Sequence, residues 1–284
     1  MGPPIWLRQS VRIGLDELTD TIQAIRNNPI RLRLLTFSFF AGGIGVGGIG
    51  ILYIIALRST ESTVPISSYS RGVVAFLWFG TSYLILRALS FRPNPSRERL
   101  SATSVTLRAV VVGQLIGDFF RSCLFLILPT LIFTGVIGAA FFVPITVLLI
   151  PLTVCLFVAS AIVFGYVVGF ARLLLIAHSR YTARKIIDLG PLLFIVTIII
   201  YILIQSSYIG ESTISSVGWL PVSWFIDLAV LGTPIEASYQ RAIGAVAVAL
   251  LIIILGGLVA ERLAIAYWCR ESTNSGSKNY GESD

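Results

Sequence analysis

Residues 122–171, SCLFLILPTLIFTGVIGAAFFVPITVLLIPLTVCLFVASAIVFGYVVGFA, contain no charged side chain. A helix crosses the roughly 30 Å hydrocarbon core of a bilayer with about 20 apolar residues. A run more than twice that long must hold the bulk of two crossings, and the turn between them is expected between Gly135 and Pro144. Four more uncharged runs, at 34–57, 72–86, 189–210 and 242–260, provide one crossing each. The sequence therefore predicts an all-α integral membrane protein with six transmembrane helices, at about 34–57, 71–91, 110–134, 145–171, 189–210 and 241–263.

The basic residues orient these spans. Arg8, Arg12, Arg26, Arg31 and Arg33 precede the first, and Arg87, Arg92, Arg97, Arg99 and Arg108 fall between the second and third. Arg172, Arg180, Arg184 and Lys185 lie between the fourth and fifth, and Arg262, Arg270 and Lys278 follow the sixth. The opposite side has only Arg58, Arg71 and Arg241, with Arg121 inside the third span. Positive charge marks the cytoplasmic face, so both termini of a multi-pass cell-membrane protein are expected in the cytoplasm.

With 56% hydrophobic and 12% charged residues in a chain of 284, no separate soluble domain is expected, only a single membrane domain over 1–270. The net charge of +7 falls in short loops without interleaved aromatics, which argues for lipid headgroups and against nucleic acid as the partner. Residues 271–284, rich in Ser, Gly and Asn, predict a disordered cytoplasmic tail. Cys123, Cys155 and Cys269 are isolated in or beside apolar segments and read as packing residues.

Ahead of the first span, Val11, Leu15, Leu18, Ile22 and Ile25 recur every three or four residues while Arg12, Asp16, Asp20 and Arg26 occupy other faces. This predicts an amphipathic interfacial helix over 5–26, lying on the inner membrane surface or packed on a partner. The first span carries a run of glycines. Its match to GxGxxG at 45–50 lacks the strand and solvent access that a dinucleotide site needs; Gly43 and Gly47 instead form a GxxxG packing pair. In the connection between spans two and three, Pro93 and Pro95 stop the incoming helix and Ser96 can cap a new one carrying Arg97, Glu98, Arg99 and Arg108. Gln114, Asp118 and Arg121 share one face of the third span, where Asp118 and Arg121 can pair at i, i+3 or serve transport. Before the last span, an apolar external segment containing Trp219, Pro221, Trp224 and Asp227 is too short to cross twice and reads as re-entrant or interfacial.

Several chemistries lack their residues. There is no P-loop, and His178, the only histidine, cannot supply an HExxH zinc site and has no catalytic acid near it in its loop. No catalytic, cofactor-binding or metal residues are assigned.

This layout resembles the membrane subunit of an ABC-2 type transporter, most closely at Leu100–Leu115, a short cytoplasmic segment leading into Gly113-Gln-Leu115, and at Leu220–Pro234, a Pro-x-x-Trp segment before the last span. Gln114 departs from the commoner Lys. The resemblance implies a non-enzymatic permease subunit that forms the translocation pathway with a second copy or paralogue. It also implies a separate cytoplasmic ABC ATPase, docked on the connection near 93–108. A multi-pass scaffold or assembly protein, or a transporter or channel unrelated to ABC systems, has the same gross composition.

The charge asymmetry makes a direct prediction. A cysteine placed at Ser62 or Ser215 should react with an impermeant thiol reagent added to intact cells, and one at Ser96 or Ser179 should not. Outside labelling at Ser96 would overturn the topology.

Overall fold

The computed structural model describes residues 5–27, 64–66, 68–91, 106–141, 144–178, 218–233 and 235–278. In chain order these form α1 (Ile5–Arg26), β1 (Val64–Pro65), α2 (Ser68–Phe91), α3 (Leu107–Phe141), α4 (Pro144–His178), a 3-10 turn (Pro221–Trp224) and α5 (Phe225–Ala229). They are followed by β2 (Ile235–Glu236), α6 (Tyr239–Leu251), a π-helical turn (Ile252–Gly256) and α7 (Gly257–Lys278). α6, the π turn and α7 run on as one continuous helix. Among the described residues, four helices are long and apolar enough to cross a bilayer, over 70–89, 107–139, 144–176 and 239–268. The chain is therefore a multi-pass, helical membrane protein. The full helices α2, α3, α4 and α6–α7 contain the expected spans 71–91, 110–134, 145–171 and 241–263; the other two, 34–57 and 189–210, lie outside the described residues.

The helices run longer than the charge-free segments, because charge marks where hydrocarbon ends and not where helical backbone ends. α3 and α4 have 35 residues each, about 52 Å at 1.5 Å per residue. Only residues 142–143 separate them, within the interval expected for the turn, and Pro129 and Pro151 sit inside unbroken helix. α3 begins where the Thr106 hydroxyl accepts a hydrogen bond from the Ala109 N–H at 3.3 Å, an N-cap that satisfies one of the first-turn donors. At the other end of the chain, α7 continues to Lys278, through eight residues of the segment whose composition predicts a tail. Once a helix is nucleated, each added residue fixes few dihedrals for one more hydrogen bond.

Small residues set the packing. α1 lies along the first part of α3, with Ile13 over Gly113 and Glu17 over Gly117: a Cβ added to Gly113 would come within 2.8 Å of Ile13, and one on Gly14 within 2.8 Å of Ile116. α4 meets α2 in the same way, since a Cβ on Gly165 would lie 2.7 Å from the Ser82 carbonyl oxygen and one on Gly169 2.8 Å from Leu89. Gly113/Gly117 and Gly165/Gly169 are both GxxxG pairs, the spacing that lets two backbones approach. Two cores result. One gathers Ala75, Trp78, Ala161, Phe225, Ala242 and Ala245, and its Trp78 indole N–H donates to Ser160 Oγ at 3.0 Å. The other gathers Leu89, Val111, Val158, Tyr166, Ala260 and Ala264. Cys123 on α3 and Cys155 on α4 are both free thiols.

Gly113→Leu should destabilise the α1–α3 contact, since overpacking commonly costs about 1–3 kcal/mol. The expected outcome is a lower unfolding midpoint in detergent and faster proteolysis within α1. Gly135→Leu, where an added Cβ meets nothing within 4 Å, should behave like the parent.

Candidate functional site

Among the described residues, three groups of ionisable side chains stand out within the bundle. The first is at the end where α2 and α6 begin. Arg71 donates from Nε to Asp227 Oδ2 at 3.2 Å and from Nη2 to Asp227 Oδ1 at 3.0 Å, a two-pronged pair. Its Nη1 reaches the Ile66 carbonyl at 3.4 Å. Asp227 Oδ1 also accepts the Ser238 N–H at 3.1 Å, and Ser238 is the N-cap of α6. Asp227 is fully buried and Arg71 nearly so. One ion pair thus ties the chain before α2 to α2, α5 and the start of α6.

The segment carrying Asp227 is built to hold it there. Pro221 opens the 3-10 turn, for which its fixed φ is suited, and Ser223 donates to the carbonyl oxygens of Gly218 and Leu220, both at 2.7 Å. The Trp224 ring lies against Gly244, where a Cβ would be 2.7 Å from the ring. Trp219 is 82% exposed. Gly232, at φ 86°, makes the turn that follows, and β2 then pairs in parallel with β1, Val64 opposite Ile235.

The second group joins α3 to α4. Tyr166 donates to Asp118 Oδ2 at 2.7 Å, and Arg121 Nη1 lies 3.5 Å from Asp118 Oδ1. The expected i, i+3 pair is present, with Asp118 buried and Arg121 one-third exposed. Gln114, one turn earlier, is half-buried.

The third group lies at the start of α3. The Arg108 guanidinium stacks 4.2 Å from the centre of the Trp6 ring of α1, and its Nε is 3.2 Å from Glu261 Oε2 of α7. Arg108 therefore stands in the first turn of α3 and joins three helices. The Glu261 contact is Coulombic, for the buried Nε–H finds no hydrogen-bond acceptor among the described residues. A cavity of about 370 Å³ runs from this pair between α3, α4 and the π turn. A second, of about 430 Å³, lies between α2, α3 and α4 beside α5 and is lined almost wholly by apolar side chains.

Of the candidates named from sequence, Gly43, Gly47, Pro93, Pro95, Ser96, Arg97, Glu98 and Arg99 lie outside the described residues. Asp118 and Arg121 come together, and Trp224 and Asp227 share one folded segment. Sequence reasoning missed Arg71, Tyr166, Trp6 and Glu261 as partners. Spacing rules see only neighbours within a helix, whereas Arg71 and Asp227 are 156 residues apart. A usable signal was present nonetheless: each is a lone charge in an apolar neighbourhood, of opposite sign, on the same expected side.

Comparison with protein-family models, with curated proteins and with solved structures finds no match.

Because the pair is buried, removing one partner leaves an uncompensated charge, a loss that commonly costs about 3–5 kcal/mol. Arg71→Ala should therefore lower the unfolding free energy in detergent by that order. Arg71→Ala/Asp227→Ala should recover much of the loss; a double variant as unstable as the single would show that the pair does not act as a unit.

Proposed function

We propose that this chain is the membrane-spanning permease subunit of an ABC-2 type transporter, set in the cell membrane with both termini cytoplasmic. It would work with a second permease copy or paralogue and draw its energy from a separate cytoplasmic ATPase. The observation that carries this reading is the Arg108 junction. α3 begins at Leu107, directly after the connection expected to receive the ATPase, and Arg108 links that first turn to α1 and to α7. A displacement of the connection by a closing ATPase would thus be felt at once by three helices. The end held by Arg71 and Asp227 would serve as the pivot.

The other parts suit the same role. α1 presents its small face to α3 and leaves Val11, Leu15 and Ile22 exposed, a stripe fit for the inner lipid surface. The folded segment 218–236 would sit at the outer headgroup level with exposed Trp219 as anchor. With no P-loop in the sequence, ATP hydrolysis is assigned to the partner. The translocation pathway is assigned to the interface with the second copy.

The test is whether the full-length protein, purified from its native membrane, carries a P-loop ATPase with it. Exposed ion pairs are individually worth less than about 1 kcal/mol, so Arg97→Ala should have a mild effect. Reversing Arg97 and Arg99 together to Glu should abolish co-purification and stimulation of ATP turnover while membrane insertion persists. If the double reversal still co-purifies and still stimulates, or if the parent captures no ATPase, the permease reading fails.

A further inference from the structure

We propose that the cavity between α3, α4 and the π-helical turn binds a membrane amphiphile with an anionic headgroup and a single hydrocarbon chain. Its volume, about 370 Å³, falls in the range of small-molecule pockets, about 300–1,000 Å³. Polarity within it is one-ended. Phe119, Ile162, Ile254 and Leu258 represent its walls, and among the described residues its charged lining is Arg108 and Glu261, which face each other. A polar solute would leave the walls unmatched, and a pure hydrocarbon would leave the charges unmatched.

Arg108 is prepared to receive an anion. The Trp6 ring covers one face of its guanidinium, the side chain is 43% exposed, and the buried Nε–H has no acceptor. A guanidinium has five N–H donors in a planar fork that matches carboxylate or phosphate oxygens. The Glu261 carboxylate offsets part of the charge without accepting from Nε, so the donors remain available to a headgroup.

The π turn shapes the chain-binding part. On one side Gly256 is pressed against α4, where a Cβ would lie 2.7 Å from Val163; the next residue, Gly257, lines the cavity and has nothing within 4 Å of an added Cβ. Single π turns in long helices recur at functional sites. Ile254 and Leu258 are exposed among the described residues and lie on a helix apolar enough to span the bilayer. A hydrocarbon chain can therefore enter sideways from the membrane.

The experiment uses the full-length protein in lipid nanodiscs with two photoreactive probes, a diazirine hexadecanoate and a diazirine hexadecyl phosphate, and maps the labelled peptides by mass spectrometry. Labelling is expected on the α3 and α7 stretches that line the cavity, and the stronger probe identifies the headgroup as carboxylate or phosphate. Unlabelled probe should compete about tenfold better than hexadecanol, the difference expected from one charge-assisted hydrogen bond. Gly257→Phe, which fills the open space, should abolish this labelling. Arg108→Gln/Glu261→Gln, which leaves no unpaired charge, should erase the preference for the anion while the helical content stays that of the parent. Equal competition by hexadecanol, or labelling that survives Gly257→Phe, would overturn the proposal. So would the absence of labelling, which would show the cavity filled by another part of the chain or by a second copy.

Discussion

Lipid chains are as apolar as leucine, so the helices of this protein gain little by burying apolar side chains against one another. What remains is close backbone approach at small residues, and the bundle depends on it. Gly113 and Gly117 admit α1, Gly165 and Gly169 admit α2, and Ala75, Ala161, Ala242, Ala245, Ala260 and Ala264 fill the two cores. Large side chains are mostly turned outward: Leu84, Leu131, Leu148 and Ile254 are all exposed, as suits surfaces that meet lipid.

Polar groups must then be matched almost completely, because a bare charge or hydrogen-bonding group is costly away from water. Asp227 accepts three hydrogen bonds, two from Arg71 and one from the cap of α6. Asp118 has Tyr166 and Arg121. Even the segment from Gly218 to Ala229 closes on itself through Ser223 and its two carbonyl partners. Arg108 is less well matched, held by a ring face and a misaligned carboxylate, and Arg121 Nε and the Thr134 hydroxyl also find no hydrogen-bond partner among the described residues. Where one group is less well matched than its fellows, a ligand or a movement has something to act on.

Composition and charge made the helical membrane character legible, because hydrocarbon thickness sets span length and positive charge marks the ends. They also located the α3–α4 turn, since fifty uncharged residues cannot cross once. Helix ends were less legible: α7 and α3 continue through polar sequence that hydropathy assigns to loop or tail. GxxxG was noticed at Gly43, within a glycine-rich stretch, and missed at Gly113 and Gly165, where single pairs lie in Val-, Leu- and Ile-rich surroundings. The Asp118–Arg121 pair could be read because it is local. The Arg71–Asp227 and Arg108–Glu261 pairs could not be assigned, because tertiary contacts choose partners that sequence separation hides.

The two ends of the bundle are not equally firm. At the Asp227 end, an oriented two-pronged pair whose carboxylate is fully buried fixes four segments, and parting it would leave that charge in an apolar surrounding. At the Arg108 end the contacts are a ring stack, worth about 0.5–2 kcal/mol, and a half-exposed pair whose Coulomb energy is screened by water. Between Arg241 and Glu261 lie twenty residues, about 30 Å of helix, with the π turn at Ile252–Gly256 interrupting the i→i+4 ladder in the second half. Such a turn is one of the few places where a long helix can bend without breaking. If the bundle changes shape, the lower-cost route is for α7 to swing about this turn, carrying Glu261 away from Arg108, while the Arg71–Asp227 end remains fixed. The cavity bounded by the π turn, Arg108 and Glu261 is the space whose volume that swing would change.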